Sequence, residues 1–238
     1  MSTRRRGPPQ PRSIRRPTKK KPPRVVIWVF SEGKTEEHYL KALERQFRKV
    51  IIKPVSEAGV PKTLVPKAKK KRRELKEEAE REGDSYSDSF EVWAVFDRDE
   101  HLHVKNARIE AHDNRVFVAF SNPCVEIWAV LHLAAQSAHI SHHDCQRLLK
   151  RLMPKYDHDD NPYFDLAQIA GKRQEARTRA VALAKRDAEK DGDHGNPTTS
   201  LWMLVDSVVH GGVGAARKQA KLASDGSDSY WVPLLGGD

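Results

Sequence analysis

Three all-apolar runs punctuate the first half of the chain, and each ends in a short acidic patch. Arg24-Val25-Val26-Ile27-Trp28-Val29-Phe30 leads into Ser31-Glu32-Gly33-Lys34-Thr35-Glu36-Glu37. Glu91-Val92-Trp93-Ala94-Val95-Phe96 leads into Asp97-Arg98-Asp99-Glu100, and Arg115-Val116-Phe117-Val118-Ala119-Phe120 into Ser121-Asn122-Pro123-Cys124-Val125-Glu126. Runs that are apolar at successive positions, rather than alternate ones, read as strands covered on both faces. Val50-Ile51-Ile52-Lys53-Pro54-Val55 reads as a further strand, which Pro54 confines to a sheet edge or a strand end. Between strands the period changes: from Thr35 the spacing sets Tyr39, Leu43 and Phe47 on one helical face with Leu40 beside them. A short helix over 103–112 separates the second and third runs. Strand and helix alternating at this spacing predict an α/β fold with a mostly parallel sheet, flanked by helices and joined by right-handed crossovers.

Beyond Pro123 the pattern is helical. Val125 to Leu133 is nearly apolar all round and predicts a buried helix; Ser141 to Met153 puts Leu148, Leu149 and Leu152 on one face. A longer Ala- and Arg-rich helix is expected over 165–190. Asn196-Pro197-Thr198-Thr199 is expected to cap a last helix with Leu201, Leu204, Val205 and Val208 inward, before Gly211-Gly212-Val213-Gly214 ends the ordered part. Residues 62–82 differ, with high helix propensity, i, i+4 pairs such as Arg73–Glu77, and almost no apolar stripe. They predict a solvated basic helix, projecting over the acidic side of the sheet if it serves to grip a polyanion. The resulting organisation is a basic tail over 1–23, an α/β core over 24–122, a helical carboxyl-terminal lobe over 123–212 packed on the core, and a tail over 213–238.

Charge changes this picture only at one end. Ten of the 43 Lys and Arg lie in residues 1–24, which hold no acid, so the remaining 33 are matched by the 33 Asp and Glu. The net charge of +10 therefore belongs to a Pro-rich amino-terminal arm. Such a composition cannot bury apolar surface; it serves as a solubilising arm or binds phosphate backbones non-specifically. The chain has no apolar run of about 18 residues, hence no expected membrane span. It also has no secretory h-region, and Cys124 and Cys145 have no metal or redox spacing, which together place the protein in a reducing cytoplasm.

The acidic patches carry the candidate chemistry. Groups just past the carboxyl ends of parallel strands meet in one crevice, and carboxylates there make a hard, oxygen-lined site suited to Mg2+ or Mn2+. Glu32 sits at a strand-to-helix turn beside Gly33. Asp97 and Asp99 are two apart, so an extended segment turns both carboxylates the same way. Glu126 lies in an apolar first helical turn, where a charge is either a metal ligand, a group orienting one, or a buried partner for a base. Gly33-Lys34-Thr35 is no phosphate-binding P-loop, because the required upstream glycine position is Trp28. A haloacid-dehalogenase-type phosphatase is disfavoured by His101 at the position where Thr or Val follows its DxD. His132, His142 and His143 lack ligand spacing and read as core or surface residues; His101 and His103 flank the DxD. Lys34 and Arg98, inside the patches, and Lys69, Lys70, Lys71, Arg72 and Arg73, on the basic helix, are the candidate nucleic-acid contacts.

Four spaced motifs, in order, resemble the RloB family. They are Glu32-Gly33-Lys34-Thr35-Glu36 with Tyr39-Leu40; Val95-Phe96-Asp97-Arg98-Asp99-Glu100; Ser121-Asn122-Pro123-Cys124-Val125-Glu126-Ile127-Trp128 with Leu131-His132; and Asn196-Pro197-Thr198-Thr199 with Leu204-Val205. Val125 departs from a more usual aromatic, and the basic tail is not part of the pattern. The resemblance covers residues 24 to 210. It implies a Toprim-like domain and a place in bacterial restriction and abortive phage-infection systems, with nucleic acid and other defence-system proteins as partners and self-association left open. By the same likeness Glu32 acts as general acid/base, while Asp97 and Asp99 hold the divalent ion. Phosphodiester hydrolysis by water, of RNA, tRNA or DNA, is the expected activity. A non-catalytic nucleic-acid-binding or sensor subunit of a defence complex is the alternative.

Overall fold

The computed structural model describes residues 24–55, 61–82, 90–98, 104–188, 195–223 and 227–231. The basic tail, the loop over 83–89, and Asp99, Glu100, His101 and His103 lie outside these described residues.

Five strands form one sheet: β1 (Val25–Ser31), β2 (Val50–Val55), β3 (Phe90–Asp97), β4 (Phe117–Asn122) and β5 (Thr198–Thr199), in the order β2-β1-β3-β4-β5. The first four are parallel and β5 is antiparallel to β4. Pro54 is on the edge strand β2, where a missing amide costs no ladder bond. The strands are buried on both faces. Ile27, Val29, Trp93, Val95, Phe117 and Ala119 face one hydrophobic cluster, while Phe30, Val92, Ala94, Phe96, Val118 and Phe120 face the other.

Helix α1 (Lys34–Phe47) covers the first face and seats Tyr39, Leu40 and Leu43 there. The second face is covered by α2 (Pro61–Glu82) and α3 (Val104–Asp113). The crossovers thus pass on opposite faces: β1 leads through α1 to β2, and β2 leads back through α2 to β3 on the other side of β1. Strand order reverses between β1 and β3, the switch point beyond whose carboxyl ends an open α/β sheet forms its crevice.

Helix α2 is not the projecting rod its composition suggests. Leu64, Val65 and Ala68 are fully buried against the sheet, and Leu75 packs partly on the same cluster. These apolar positions lie mostly ahead of the Lys/Arg run, which is why the run itself shows no stripe. A helix joining parallel strands runs against them, so the basic residues point away from the crevice. Lys71 Nζ sits 4.2 Å over the ring of Trp28 in mid-β1, and Arg72 lies 5.6 Å from the ring of Phe90 at the start of β3.

The remaining helices are α4 (Glu126–Leu133), α5 (His142–Leu152), α6 (Leu166–Ile169), α7 (Arg173–Ala188), α8 (Leu201–His210) and α9 (Val213–Ala223), followed by a 3-10 turn over Ser227–Trp231. Helix α4 is buried from Glu126 to His132 as its all-apolar surface requires, and Ser141 caps α5 by accepting a bond from the Asp144 amide. The expected 165–190 helix is broken into α6 and α7 at Gly171, whose φ of +80° suits glycine. Two further elements exceed expectation. Thr198-Thr199 is a strand rather than a cap, and the chain continues past Gly212 into α9, which buries Val213, Ala216 and Ala220. No helix among the described residues is long and apolar enough to cross a membrane.

Core and carboxyl-terminal helices share one hydrophobic cluster and are joined by buried polar ties. Tyr39 Oη accepts from Trp128 Nε1 at 3.0 Å, joining α1 to α4. Glu91, buried in β3, accepts from Trp93 Nε1 at 2.8 Å, Ser207 Oγ at 2.7 Å and the Val213 amide at 2.5 Å. Burial pushes the Glu91 carboxyl up, and these three donors oppose the shift. Replacing Glu91 with Leu strands all three donors. The expected loss is about 2–3 kcal/mol, read as a lower urea midpoint at unchanged m-value.

Candidate functional site: a carboxylate crevice at the sheet edge

The crevice begins where β1 ends. Ser31 is the last strand residue, Glu32 and Gly33 make the turn, and Lys34 opens α1. Glu32 and Lys34 are exposed, whereas Glu36, one helical turn beyond Glu32, is buried. A Cβ at Gly33 would lie 2.7 Å from Glu36 Oε2, so this glycine leaves the space that the Glu36 carboxylate occupies. Thr35 Oγ1 donates to the Pro162 carbonyl at 2.8 Å and draws the 161–164 segment over the start of α1.

Asp97 ends β3, two residues past the position paired with Ser31. Its Oδ2 accepts from the Val125 amide at 3.0 Å, just ahead of α4. Its Oδ1 is buried and has no hydrogen-bond partner among the described residues. Glu126 then opens α4 and is buried behind Asp97. Ahead of it the Asn122-Pro123 and Asn196-Pro197 pairs meet: Asn196 Nδ2 donates to Asn122 Oδ1 at 3.3 Å, and Asn122 Nδ2 to the Gly195 carbonyl at 3.2 Å.

Asp97, Glu36 and Glu126 are therefore electrostatically coupled, with the Glu32 charge acting on Asp97, yet the three shift in opposite directions. Burial pushes Asp97 well above the usual carboxylate range, and the charges of Glu36, Glu126 and Glu32 add to it against the Val125 amide. Burial likewise raises Glu36 to about 7, with Glu126 contributing. Glu126 moves the other way. Burial acts upward on it too, but hydrogen bonds from His158, Tyr156 and Cys124 outweigh that and hold it near 2. Tyr156 Oη donates to Glu126 Oε1 at 2.5 Å, and His158 Nδ1 is 3.2 Å from the same oxygen. The His158 imidazole is raised in turn, chiefly by that bond.

A second, softer group adjoins this one. Ligand atoms of Cys124, Glu126 and His142 all lie within 4.8 Å of one another, which makes them a possible metal-binding set. Sequence spacing alone had assigned no metal role to the cysteines or His142; the α4–α5 turn brings them together.

The structure thus places Glu32, Asp97 and Glu126 around one crevice. Asp99 lies outside the described residues. Glu36 is the residue sequence reasoning overlooked: its signal was its i, i+4 spacing from Glu32, which a helix start turns onto one side. Lys34 and the half-buried Arg98 flank the crevice. Lys69, Lys70 and Arg73 are exposed on α2, with Lys69 3.5 Å from Glu110 and Arg73 3.9 Å from Glu77. His132 is a core residue, held neutral by burial with its value near 4, and its Nδ1 lies 2.8 Å from the Trp128 carbonyl oxygen.

Residues 27–208 match the family described as RloB-like protein. The chain belongs to that family. Membership fits a defence-associated role. No curated protein and no solved structure matches the chain. Within this family member the donor chemistry of the crevice fits a hard divalent ion: every donor is a carboxylate oxygen, the charges repel without a counter-ion, and Asp97 offers a buried oxygen with a free valence.

Because the Glu126 charge helps raise Glu36, Glu126→Gln lowers the Glu36 value. In metal-free protein, the Glu36 carboxyl resonance is expected to titrate near 7 in wild type and measurably lower in the variant.

Proposed function

We propose that the chain is a divalent-metal-dependent nuclease with a Toprim-like core, hydrolysing phosphodiesters of nucleic acid in bacterial antiphage defence. The observation that carries this reading is the buried Asp97 Oδ1 without a partner, set among coupled carboxylates at the switch point of a parallel sheet. Asp97 and Glu36 would hold Mg2+ or Mn2+, with Asp99 from the adjoining segment. The ion would supply positive charge to the scissile phosphate and to the oxygens attacking and leaving it.

The protein's own residues do the rest. Glu32, exposed at the lip, accepts a proton from the attacking water and returns one to the leaving oxygen. Lys34 binds a backbone phosphate beside the crevice, and Arg98 does the same from the β3 end. Glu126 keeps its charge through Tyr156 and His158, and so keeps the neighbouring carboxylates avid for a cation. Lys69, Lys70 and Arg73, on the far side of the sheet from Lys34, extend contact to a longer substrate rather than reach the reacting phosphate.

The test is cleavage of a panel of tRNA, single-stranded RNA and duplex DNA with Mg2+ or Mn2+. Wild type is expected to cut at least one class, and Asp97→Asn and Glu32→Gln to lose on the order of 100-fold or more in rate while remaining folded. Retained full rates in both variants would overturn the proposal. Salt-sensitive binding without cleavage by wild type would favour the non-catalytic nucleic-acid-binding subunit. In binding assays Lys34→Ala is expected to weaken affinity and reduce the log–log salt slope by about 0.7–0.9, the effect of one phosphate contact.

A further inference from the structure

Behind Glu126, away from the crevice, the donors are of another kind. Cys124 and Glu126 come from the β4–α4 junction, His142 opens α5, and His158 lies in the segment after α5. Gln146, one turn beyond His142, places its amide nitrogen among them. That nitrogen is 2.7 Å from His142 Nε2, 2.9 Å from His158 Nδ1 and 3.5 Å from Glu126 Oε1. The Gln146 side chain thus fills the space between the two imidazoles and the Glu126 carboxylate.

The spacing fits one ion. Two ligand atoms about 2.0–2.1 Å from a zinc at the tetrahedral angle are about 3.3 Å apart. The Cys124, Glu126 and His142 ligand atoms lie within 4.8 Å of one another, and His158 Nδ1 is hydrogen-bonded to Glu126 Oε1 at 3.2 Å. Tyr156, donating to Glu126 Oε1 at 2.5 Å, is the kind of outer partner that orients a ligating carboxylate.

We propose that Cys124, Glu126 and His142, with His158 held beside the Glu126 carboxylate, form a binding site for a borderline-soft divalent ion of the Zn2+ class, whose entry displaces the Gln146 side chain. Thiol and imidazole donors select such an ion over Mg2+. Cys124 coordinates as thiolate, and its proton leaves to solvent on binding. The bound ion fastens the start of α4 to α5 and the 156–164 segment, and so braces the wall of the crevice. The site does not depend on the nuclease reading: Cys124 and His142 have no part in it, and the two meet only at Glu126 and its partner His158.

The test is titration of the full, chelator-stripped chain with Zn2+ against a chromophoric competitor, paired with the Co2+ absorption spectrum. Wild type is expected to bind about one ion and to show a thiolate-to-cobalt charge-transfer band. His142→Ala is expected to weaken binding by more than the roughly 10–100-fold cost of losing an outer partner. Cys124→Ser is expected to lose the band. Gln146→Ala, which removes the competing amide, tightens binding, an effect that loss of a merely structural hydrogen bond would not produce. Absence of stoichiometric Zn2+ binding by wild type, or binding that His142→Ala leaves intact, would overturn the proposal. Tight Co2+ binding without the charge-transfer band would overturn it equally, since Cys124 would not be a ligand.

Discussion

Burial of neighbouring carboxylates, with their mutual repulsion added to it, is the constraint around which this protein is arranged. Asp97, Glu36 and Glu126 meet at the carboxyl edge of a sheet buried on both faces, with Glu32 at the lip. Raising Glu36 from 4.5 to about 7 corresponds to roughly 3 kcal/mol against its ionised form. A fold built only for stability would place apolar side chains there. Here the flanking structure is shaped to the acids instead: Gly33 clears space for one carboxylate, and the Val125 amide addresses another. The doubly covered sheet keeps the crevice walls rigid.

The acids are divided by their surroundings. Glu126 receives donors from Tyr156 and His158 and stays ionised, whereas at Asp97 and Glu36 burial outweighs the single backbone amide that each carboxyl meets and raises them. A permanently charged neighbour beside two reluctant carboxylates is a standing demand for positive charge. The segment after α5 supplies those donors and α5 itself supplies His142 and Gln146, so the stretch 142–158 both fixes Glu126 and lines the softer cluster behind it.

Much of this was legible in the order of residues. All-apolar runs such as 25–30 announced strands covered on both faces, Pro54 announced the edge, and the acidic patches fell at strand ends, where a parallel sheet gathers them. What escaped had non-local causes. Thr198-Thr199 is a strand only because β4 offers an open side, and two residues carry no period. The face of α2 was hidden because Leu64, Val65 and Ala68 precede the Lys/Arg run that dominates its composition. Helix α9 follows a glycine-rich stretch that reads as an end, although Gly211 and Gly212, both at positive φ, only turn the chain. Glu36 looked like an ordinary acidic residue in a first helical turn, favoured there by the helix dipole; its burial depends on Gly33 and on the packing of the 161–164 segment. The Cys124–Glu126–His142 group spans a turn between helices and has no sequence spacing to betray it.

Thermal unfolding of wild type and Asp97→Asn, with and without Mn2+, tests the claim that the crevice is built for a cation most directly. Without metal, removing the Asp97 charge relieves repulsion, so the variant melts at least as high as wild type. With Mn2+, wild type rises in Tm and the variant does not. A wild type indifferent to Mn2+, or a variant that gains as much from the ion as wild type, would contradict the account.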